Sequence, residues 1–271
     1  MKRNLFDIQD HVVVITGGTG VLGREIASYL AAEGAEVVLL GRNRQTGDDI
    51  VNAIRQNGGK ASFETCDVTS QAQVEDVRDR ILARTHRIDA LLNAAGGNMP
   101  GSTIPPEGTL FDVKADDFQK VLGLNLTGTL IPTQVFLKPM AEAGHGAIVN
   151  FSSMAAFRPL TRVMGYAAAK AGISNLTAYL ATEVATKFSP HIRVNAIAPG
   201  FFLTNQNRTL LQNADGSLTA RGHDIIRQTP FHRFGKPEEL CGTIHYLISE
   251  ASAFVTGTVA VVDGGFNVFS L

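Results

Sequence analysis

Short runs of apolar and β-branched residues alternate along the chain with longer segments whose apolar residues recur at helical spacing. The short runs are mostly continuous, which is typical of strands covered on both faces. They predict strands at 12–16, 37–40, 61–66, 90–95, 147–152, 192–198 and 259–264. The intervening segments predict helices at 21–33, 43–57, 71–86, 114–142, 165–188 and 236–249. We therefore expect a single α/β domain over residues 1–271, with a doubly wound, seven-stranded, mostly parallel sheet and helices on both faces.

Two stretches interrupt this alternation. Residues 96–113 are rich in glycine and proline and follow the fourth predicted strand, and residues 201–235 follow the sixth. Both leave the carboxyl ends of strands, which is where open α/β sheets bind ligands. Because long loops in a compact domain are usually functional, we predict that both contact the substrate.

Composition narrows the classes of partner. The net charge is −1 and the basic residues are scattered, so nothing indicates a nucleic-acid surface. The two cysteines, Cys66 and Cys241, form neither a disulfide framework nor a metal-ligand spacing, so no metal is expected. The first ten residues lack the apolar core of a signal peptide, and no stretch approaches the length of a membrane-spanning helix. We expect a cytoplasmic protein without a membrane partner.

A glycine-rich turn, "TGGTGVLG", lies between the first strand and the first helix. Glycine permits positive φ and lets the backbone approach a pyrophosphate closely. The helix amino terminus then offers free N–H groups and a partial positive charge to the phosphates. The turn predicts a dinucleotide-binding site formed by Gly17, Gly18, Thr19, Gly20, Val21, Leu22 and Gly23.

The end of the second strand bears on the choice of cofactor. An acidic residue there commonly binds the ribose 2′-hydroxyl of NAD, but this chain has Gly41 followed by Arg42 and Asn43. Because an arginine can pair with a 2′-phosphate, we favour NADP and keep NAD as the alternative. Asp67 is expected to reach the adenine or, equally, to cap a helix. Further cofactor contacts are expected from Val68, Asn93, Ala94, Ala95 and Gly96.

The candidate chemistry lies in the second half of the chain. Tyr166 and Lys170 are four residues apart on a predicted helix and so share one face. A nearby ammonium favours the phenolate, so Lys170 is expected to lower the tyrosine pKa from about 10. Ser153 ends the fifth strand and is expected to polarise a substrate carbonyl. Asn125, on the preceding long helix, is expected to position a water beside Lys170.

Several motifs together resemble the short-chain dehydrogenase/reductase family along nearly the whole chain: "TGGTGVLG", "CDVT", "NAAG", "LNLTGT", "IVNFSS", "YAAAK", "RVNAIAPG" and "VDGG". The resemblance implies a Rossmann fold, a nicotinamide cofactor and hydride transfer. It implies a catalytic tetrad of Asn125, Ser153, Tyr166 and Lys170. Val21 departs from the glycine that most members have there, which puts the local turn geometry in doubt.

The same resemblance assigns further roles. Lys170 would also hold the nicotinamide ribose, and Asn93 would mainly brace the central sheet. The cofactor's nicotinamide end would meet Pro199, Gly200, Phe202 and Thr204. The family pattern further implies a homotetramer, with the predicted helices 114–142 and 165–188 packed between subunits.

Three segments are more narrowly similar to the family's D-mannonate oxidoreductases, which interconvert D-fructuronate and D-mannonate: "AAGGNMPGST", "SSMAAFRPLTRVMGYAAAKAG" and "VVDGGFNVFSL". A sugar acid needs a cation for its carboxylate, and an arginine fork pairs with a carboxylate bidentately. The expected substrate contacts are Ser153, Arg158, Arg162, Asn98, Ser102, Asn205, Gln206, Asn207 and Arg208. A 3-oxoacyl-carrier-protein reductase, another ketone reductase and a non-catalytic NADP-binding sensor stay open as alternatives.

Overall fold

The computed structural model describes residues 4–204 and 207–270. Seven strands form one sheet, in the order β3-β2-β1-β4-β5-β6-β7, and every neighbouring pair is parallel. The strands are β1 (Val12–Thr16), β2 (Glu36–Gly41), β3 (Lys60–Thr65), β4 (Ala90–Asn93), β5 (Gly146–Phe151), β6 (Ile192–Pro199) and β7 (Val259–Val262). The predicted doubly wound sheet is confirmed, and the chain reverses its direction of winding between β1 and β4.

Helices cover both faces of the sheet. They are α1 (Val21–Ala32), α2 (Arg44–Gln56), α3 (Gln71–Thr85), α4 (Ala115–Leu122), α5 (Gly128–Ala143), α6 (Met164–Lys187), α7 (Arg208–Leu211), α8 (Ala220–Arg227) and α9 (Cys241–Ile248). One face packs its core around Ile15, Leu30 and Leu39. The other packs around Val14, Ile81 and Phe136. The central strands contribute alternate side chains to both cores, which explains their continuous apolar sequences.

The helical predictions are correct in position but incomplete. The predicted helix 114–142 consists of α4, a π-helical turn at Gly123–Thr127 and α5. The predicted helix 236–249 begins with a 3-10 turn at Pro237–Leu240. The loop 201–235 contains α7 and α8, which are too short to give a strong periodic signal.

The fourth and seventh strands end earlier than predicted. Beyond Asn93 the chain leaves the sheet, and the Ala95 N–H donates 3.1 Å to Thr16 Oγ1 at the end of β1. Beyond Val262 the chain turns, and the carboxylate of Asp263 accepts hydrogen bonds from the backbone N–H groups of Gly265 and Asn267. Among the described residues, no helix is long and apolar enough to cross a membrane.

Candidate functional site

The glycine-rich turn lies at the switch point, between the carboxyl ends of β1 and β4. Gly17 has φ +67°, and a Cβ there would lie 2.8 Å from Ala95 Cα. A Cβ on Gly18 would lie 2.4 Å from Leu39 Cδ2, and one on Gly23 would lie 2.6 Å from Gly17 O. These three positions therefore exclude side chains. The floor of the crevice is therefore formed by main-chain atoms, which lets a pyrophosphate approach the backbone closely.

The turn continues smoothly into α1. Gly20 is the N-cap and no side chain caps the helix, so its first N–H groups are directed at the crevice. The Gly20 N–H donates 3.0 Å to Gly17 O, and Arg24 N–H donates 2.9 Å to Gly20 O. Val21 begins the helix, and Leu22 packs partly against the core. Val21 is accommodated because it lies inside a regular helical turn rather than at a position of positive φ.

The end of β2 carries an exposed cation. Arg42 is exposed, and its charge contributes to lowering the pKa of Asp67. A Cβ on Gly41 would lie 3.0 Å from Thr19 Oγ1, so an acidic residue at position 41 would require Thr19 to move. Asn43 Oδ1 caps α2 by accepting 3.0 Å from Thr46 N–H.

Asp67 and Val68 have structural contacts of their own. Asp67 Oδ1 accepts from Thr69 Oγ1 (2.7 Å) and Thr69 N (2.9 Å), which accounts for most of the lowering of its pKa. These bonds close the turn before α3 but do not cap it, because Ser70 is the N-cap and no side chain caps this helix, so the predicted capping role is wrong. Val68 is buried, and a Cβ on Gly128 would lie 3.0 Å from it.

Asn93 is turned away from the crevice. Its Nδ2 donates 2.9 Å to both Thr133 Oγ1 and Asn150 Oδ1, and Asn150 in turn donates to Thr177 Oγ1. The Asn93 side chain therefore braces β4 against β5 and the helices beneath. This agrees with the bracing role that the family resemblance implies for Asn93, and its contact with the cofactor stays a prediction.

Ser153, Tyr166 and Lys170 converge at the end of β5. Ser153 hydrogen-bonds to Tyr166, and its Oγ also accepts 3.2 Å from Ala155 N–H. Lys170 is buried, and its Nζ donates 2.6 Å to the Phe151 carbonyl oxygen. The same Nζ lies 5.4 Å from the centroid of the Tyr166 ring. The helical spacing and the strand end thus bring these three residues together.

The ionisation of this group differs from the sequence expectation. Burial raises the pKa of Tyr166, and the hydrogen bond with Ser153 opposes that rise. Burial lowers the pKa of Lys170 to about 7. Lys170 does not lower the tyrosine pKa as expected. The buried amine is only partly protonated at neutral pH, and it donates its hydrogen bond to Phe151. The hydroxyl of Ser153 is the group that favours the phenolate here.

Asn125 lies in the π-helical turn and is fully buried. Its Nδ2 donates to Gly97 O (2.7 Å) and Val121 O (2.8 Å), and its Oδ1 accepts from Gly97 N–H (3.1 Å). The amide therefore pairs with the backbone of the loop after β4 instead of standing free to position a water. A Cβ on Gly96 would lie 2.6 Å from Asn125 Oδ1 and 3.3 Å from Lys170 Nζ, so this loop passes directly between the two side chains.

The segment after β6 forms the far wall. Gly200 N–H donates 2.9 Å to Val262 O, and a Cβ on Gly200 would lie 2.7 Å from Asp263 Cα. Pro199 ends β6 and is buried. The ring of Phe202 is buried beneath Gly235, so only its backbone can face a cofactor. Thr204 N–H donates 2.8 Å to Asn207 Oδ1, a bond that does not use the threonine hydroxyl.

Two of the residues predicted to bind substrate are committed to loop structure. Arg158 Nη1 donates 2.7 Å to Phe266 O, and the guanidinium lies 4.9 Å from the Phe266 ring centroid. It ties the loop after β5 to the carboxyl-terminal segment, and because only Nη1 is used, its assignment to a substrate carboxylate stays a prediction. Asn207 Nδ2 donates 2.8 Å to Phe202 O and closes the turn before α7, so it too is not free.

The remaining predicted contacts fall into two groups. Arg162, Asn98 and Ser102 lie in two loops that touch, because Ile104 N–H donates 2.9 Å to Arg162 O. Arg208 is exposed on α7, with Gln212 3.5 Å away. Asn205 and Gln206 lie outside the described residues.

Arg221 is a candidate that the sequence pattern did not indicate. It lies in the first turn of α8, and its Nη1 donates 3.1 Å to Thr161 Oγ1 beside Arg162. The only sequence signal is an arginine at the amino end of a helix, where a cation is unfavourable. That signal can be recognised only once α8 is known.

Comparisons with known proteins agree with this geometry. The family model described as "Enoyl-(Acyl carrier protein) reductase" matches residues 19–267. An uncharacterized oxidoreductase of Bacillus subtilis is 43% identical in an alignment of 266 residues that covers 95% of each chain. A Haemophilus influenzae structure, described as a "putative D-Mannonate oxidoreductase" with bound NAD, is 40% identical, with a TM-score of 0.91 and 97% of each chain covered.

A second structure extends the comparison. It is described as a gluconate 5-dehydrogenase from Burkholderia cenocepacia in complex with NADP and tartrate; it is 30% identical, with a TM-score of 0.87 and 98% of each chain covered. The matches span nearly the whole chain, and the glycine crevice fits the dinucleotides that these neighbours bind. The chain belongs to the short-chain dehydrogenase/reductase family and is an NAD(P)-dependent oxidoreductase.

Proposed function

We propose that the enzyme interconverts a ketone and a secondary alcohol on a sugar acid of the D-fructuronate/D-mannonate type. The observation that carries the proposal is the cluster of Ser153, Tyr166 and Lys170 beneath loops that present Arg162 and unpaired polar atoms. Asn98 Oδ1 and Ser102 Oγ are both buried without a hydrogen-bond partner among the described residues. Such groups suit a polyhydroxylated, charged substrate better than the apolar walls expected of a fatty-acyl or steroid pocket. The resemblance to the Haemophilus influenzae structure supports the same substrate class.

Tyr166 is proposed as the general acid and base. In reduction its hydroxyl donates a proton to the substrate's carbonyl oxygen, and in oxidation the phenolate takes it back. Ser153 Oγ donates a hydrogen bond to the same oxygen as negative charge develops there. Ser153 suits this role because it already hydrogen-bonds to Tyr166, which places both hydroxyls on one small region of the substrate.

Lys170 and Asn125 support these two residues. With a pKa of about 7, Lys170 can gain or lose a proton near neutral pH, as a relay to Tyr166 requires. Asn125 holds the Gly96–Gly97 backbone against Lys170 and so acts as a positioning residue. The nicotinamide, when bound, supplies or accepts the hydride.

The cofactor itself is proposed to be NADP in preference to NAD. Support comes from the exposed Arg42 and from Thr19, which occupies the space beside Gly41 that an acidic side chain would need. The remaining cofactor contacts are proposed from the backbone of the glycine turn, residues 94–96, and the segment at 199–204. We further propose a homotetramer in the cytoplasm, where the two buried cysteines would stay as the free thiols observed here.

A substrate panel tests the proposal. D-mannonate and D-gluconate are offered with NAD and NADP in the oxidative direction, and acetoacetyl thioesters and simple ketones in the reductive one. We expect turnover of a hexonate to exceed that of the other compounds. A preference for the acyl thioester would instead favour the carrier-protein reductase, which the description of the matching family model makes the second candidate. Cofactor binding without turnover of any carbonyl would favour the sensor.

A further inference from the structure

Two arginines lie at the seam between α8 and the loop after β5, because Arg221 of α8 hydrogen-bonds to Thr161, the residue that precedes Arg162. Arg221 donates from Nη1 to Thr161 Oγ1 (3.1 Å) and from Nη2 to Thr161 O (3.4 Å). Arg162, the next residue along, donates from Nε to Ile104 O at 2.6 Å. Arg221 is held through its two Nη groups, whereas Arg162 is held through Nε alone. Both of its Nη groups are therefore left for a ligand, as far as the described residues show.

The charge at this seam is only partly balanced by the protein. Neither arginine has a carboxylate within ion-pair distance in residues 4–204 and 207–270. Asp224, on the same helix as Arg221, pairs at 2.9 Å with Arg227 instead. Burial and then the charge of Arg162 lower the pKa of Arg221, and the charge of Asp224 opposes this lowering. Arg221 also lies in the first turn of α8, at the positive end of the helix dipole.

The seam is linked to the catalytic residues along the chain and through one loop contact. Arg162 precedes Tyr166 by four residues, and its Nε partner Ile104 belongs to the loop that holds Asn98 and Ser102. The Ser102 hydroxyl is fully buried and unpaired among the described residues, and a Cβ on Gly165 would lie 2.7 Å from it. Arg162 and the unpaired hydroxyl and amide atoms of Ser102 and Asn98 therefore belong to two loops that are in contact. This is the complement of a polyhydroxy carboxylate.

We propose that Arg221 and Arg162 together bind the carboxylate of the substrate, with one arginine from the helix and one from the loop. The inference rests on the proposed sugar-acid function and names the residues that select the acid over a neutral sugar. An anion between the two guanidiniums would relieve their mutual repulsion and join α8 to the loop after β5. Carboxylate binding would thereby order the wall of the site that lies beside Tyr166.

The test is equilibrium binding to the cofactor-loaded enzyme carrying Tyr166→Phe, in which turnover is blocked. Affinity for D-mannonate is measured in this background and in the same background with Arg221→Gln added. We expect the added substitution to weaken D-mannonate binding roughly 10- to 100-fold, the range for a lost charge-assisted pair. Binding of D-mannitol, in which a hydroxymethyl group replaces the carboxylate, should change less than about twofold. Arg221→Lys should recover part of the lost affinity.

Two controls separate recognition from structure. Arg227→Gln removes a cation from the same helix, at an exposed residue paired with Asp224, and should leave both affinities unchanged. Thr161→Val removes one anchor of Arg221 but keeps the charge, so a merely structural role would appear as equal losses for acid and polyol. Unchanged D-mannonate affinity in the Arg221→Gln enzyme, or an equal loss with Arg227→Gln, would overturn this inference alone. If the unsubstituted enzyme neither binds nor oxidises any hexonate, the proposed function itself fails.

Discussion

Lys170 Nζ donates a 2.6 Å hydrogen bond to the carbonyl oxygen of Phe151, the last residue of β5. The bond joins the helix that carries Tyr166 to the strand that leads into Ser153. It also keeps the amine buried, with its pKa lowered to about 7. The spacing of a tyrosine and a lysine therefore does more than align two side chains, because the lysine also links the helix to the strand.

Removal of the Tyr166 hydroxyl tests the proposed acid and base. Tyr166→Phe should lower kcat about 10³-fold, within the range for loss of a general acid–base group. The phenyl ring keeps the packing, so the dissociation constant of the cofactor should stay within about threefold. Steady-state kinetics and fluorescence titration of the cofactor measure the two quantities. A variant with near-normal turnover would show that another group moves the proton.

Burial of Lys170 should make stability depend on pH. In the unfolded chain the amine stays protonated up to about pH 10.5, whereas in the folded chain it does so only up to about 7. Between these values the unfolded state binds more protons, so this residue makes the free energy of unfolding rise with pH.

Urea unfolding at about pH 7.5 and about pH 9.5 measures that effect. Relative to Lys170→Met, the unsubstituted protein should gain roughly 2 kcal/mol over this interval, since one pKa unit corresponds to about 1.4 kcal/mol. Lys187→Met, at an exposed lysine of the same helix that pairs with Glu183, is the control and should leave the pH slope unchanged. Parallel curves for the unsubstituted and Lys170→Met proteins would mean that the amine is charged in the fold.

Gly96 should not tolerate a side chain. A Cβ there would lie 2.6 Å from Asn125 Oδ1 and 3.3 Å from Lys170 Nζ, so Gly96→Ala must displace one of them. We expect a loss of about 1–3 kcal/mol in the free energy of unfolding, together with a lower kcat. Gly242→Ala is the matched control, because no atom lies within 4 Å of the added methyl group and helix propensity favours alanine. Equal stability of the two variants would refute the close packing.

Arg42 should distinguish the two cofactors. Arg42→Ala removes the proposed partner of the 2′-phosphate, so the dissociation constant of NADP should rise roughly 10- to 100-fold. That of NAD should change little. Arg44→Ala removes a neighbouring exposed arginine that lies 3.7 Å from Asp48, and it should affect neither. If NAD binds more tightly than NADP to the unsubstituted enzyme, the preference for NADP is wrong.

Helix α6 offers a test of the proposed homotetramer. Tyr179 on this helix is 62% exposed in the single chain, which suits a residue covered by a second subunit. Tyr179→Glu should shift the mass measured by light scattering toward dimer or monomer. Leu210→Glu, at an exposed residue of α7, should leave the mass unchanged. A monomeric unsubstituted protein would contradict the proposal directly.

The pattern of the sequence was sufficient for the order of strands and helices and for the glycine crevice. Short continuous apolar runs are typical of strands buried on both faces, and glycines between a strand and a helix indicate a phosphate-binding turn. The same local logic placed Tyr166 and Lys170 on one helical face. These features could be predicted because they depend on residues near one another in the chain, whose burial and periodicity are visible in the sequence.

Contacts across long stretches of chain were decided by the tertiary structure. Arg158 and Arg162 look equivalent in sequence, yet Arg158 is bound to Phe266, 108 residues away, and Arg162 is bound to Ile104, 58 residues away. The amide of Asn125 and the pKa of Lys170 likewise depend on a loop that passes between them. Sequence patterns report which residues are polar or buried. Which polar groups pair, and which are left for a ligand, follows only from how the loops pack at the end of the sheet.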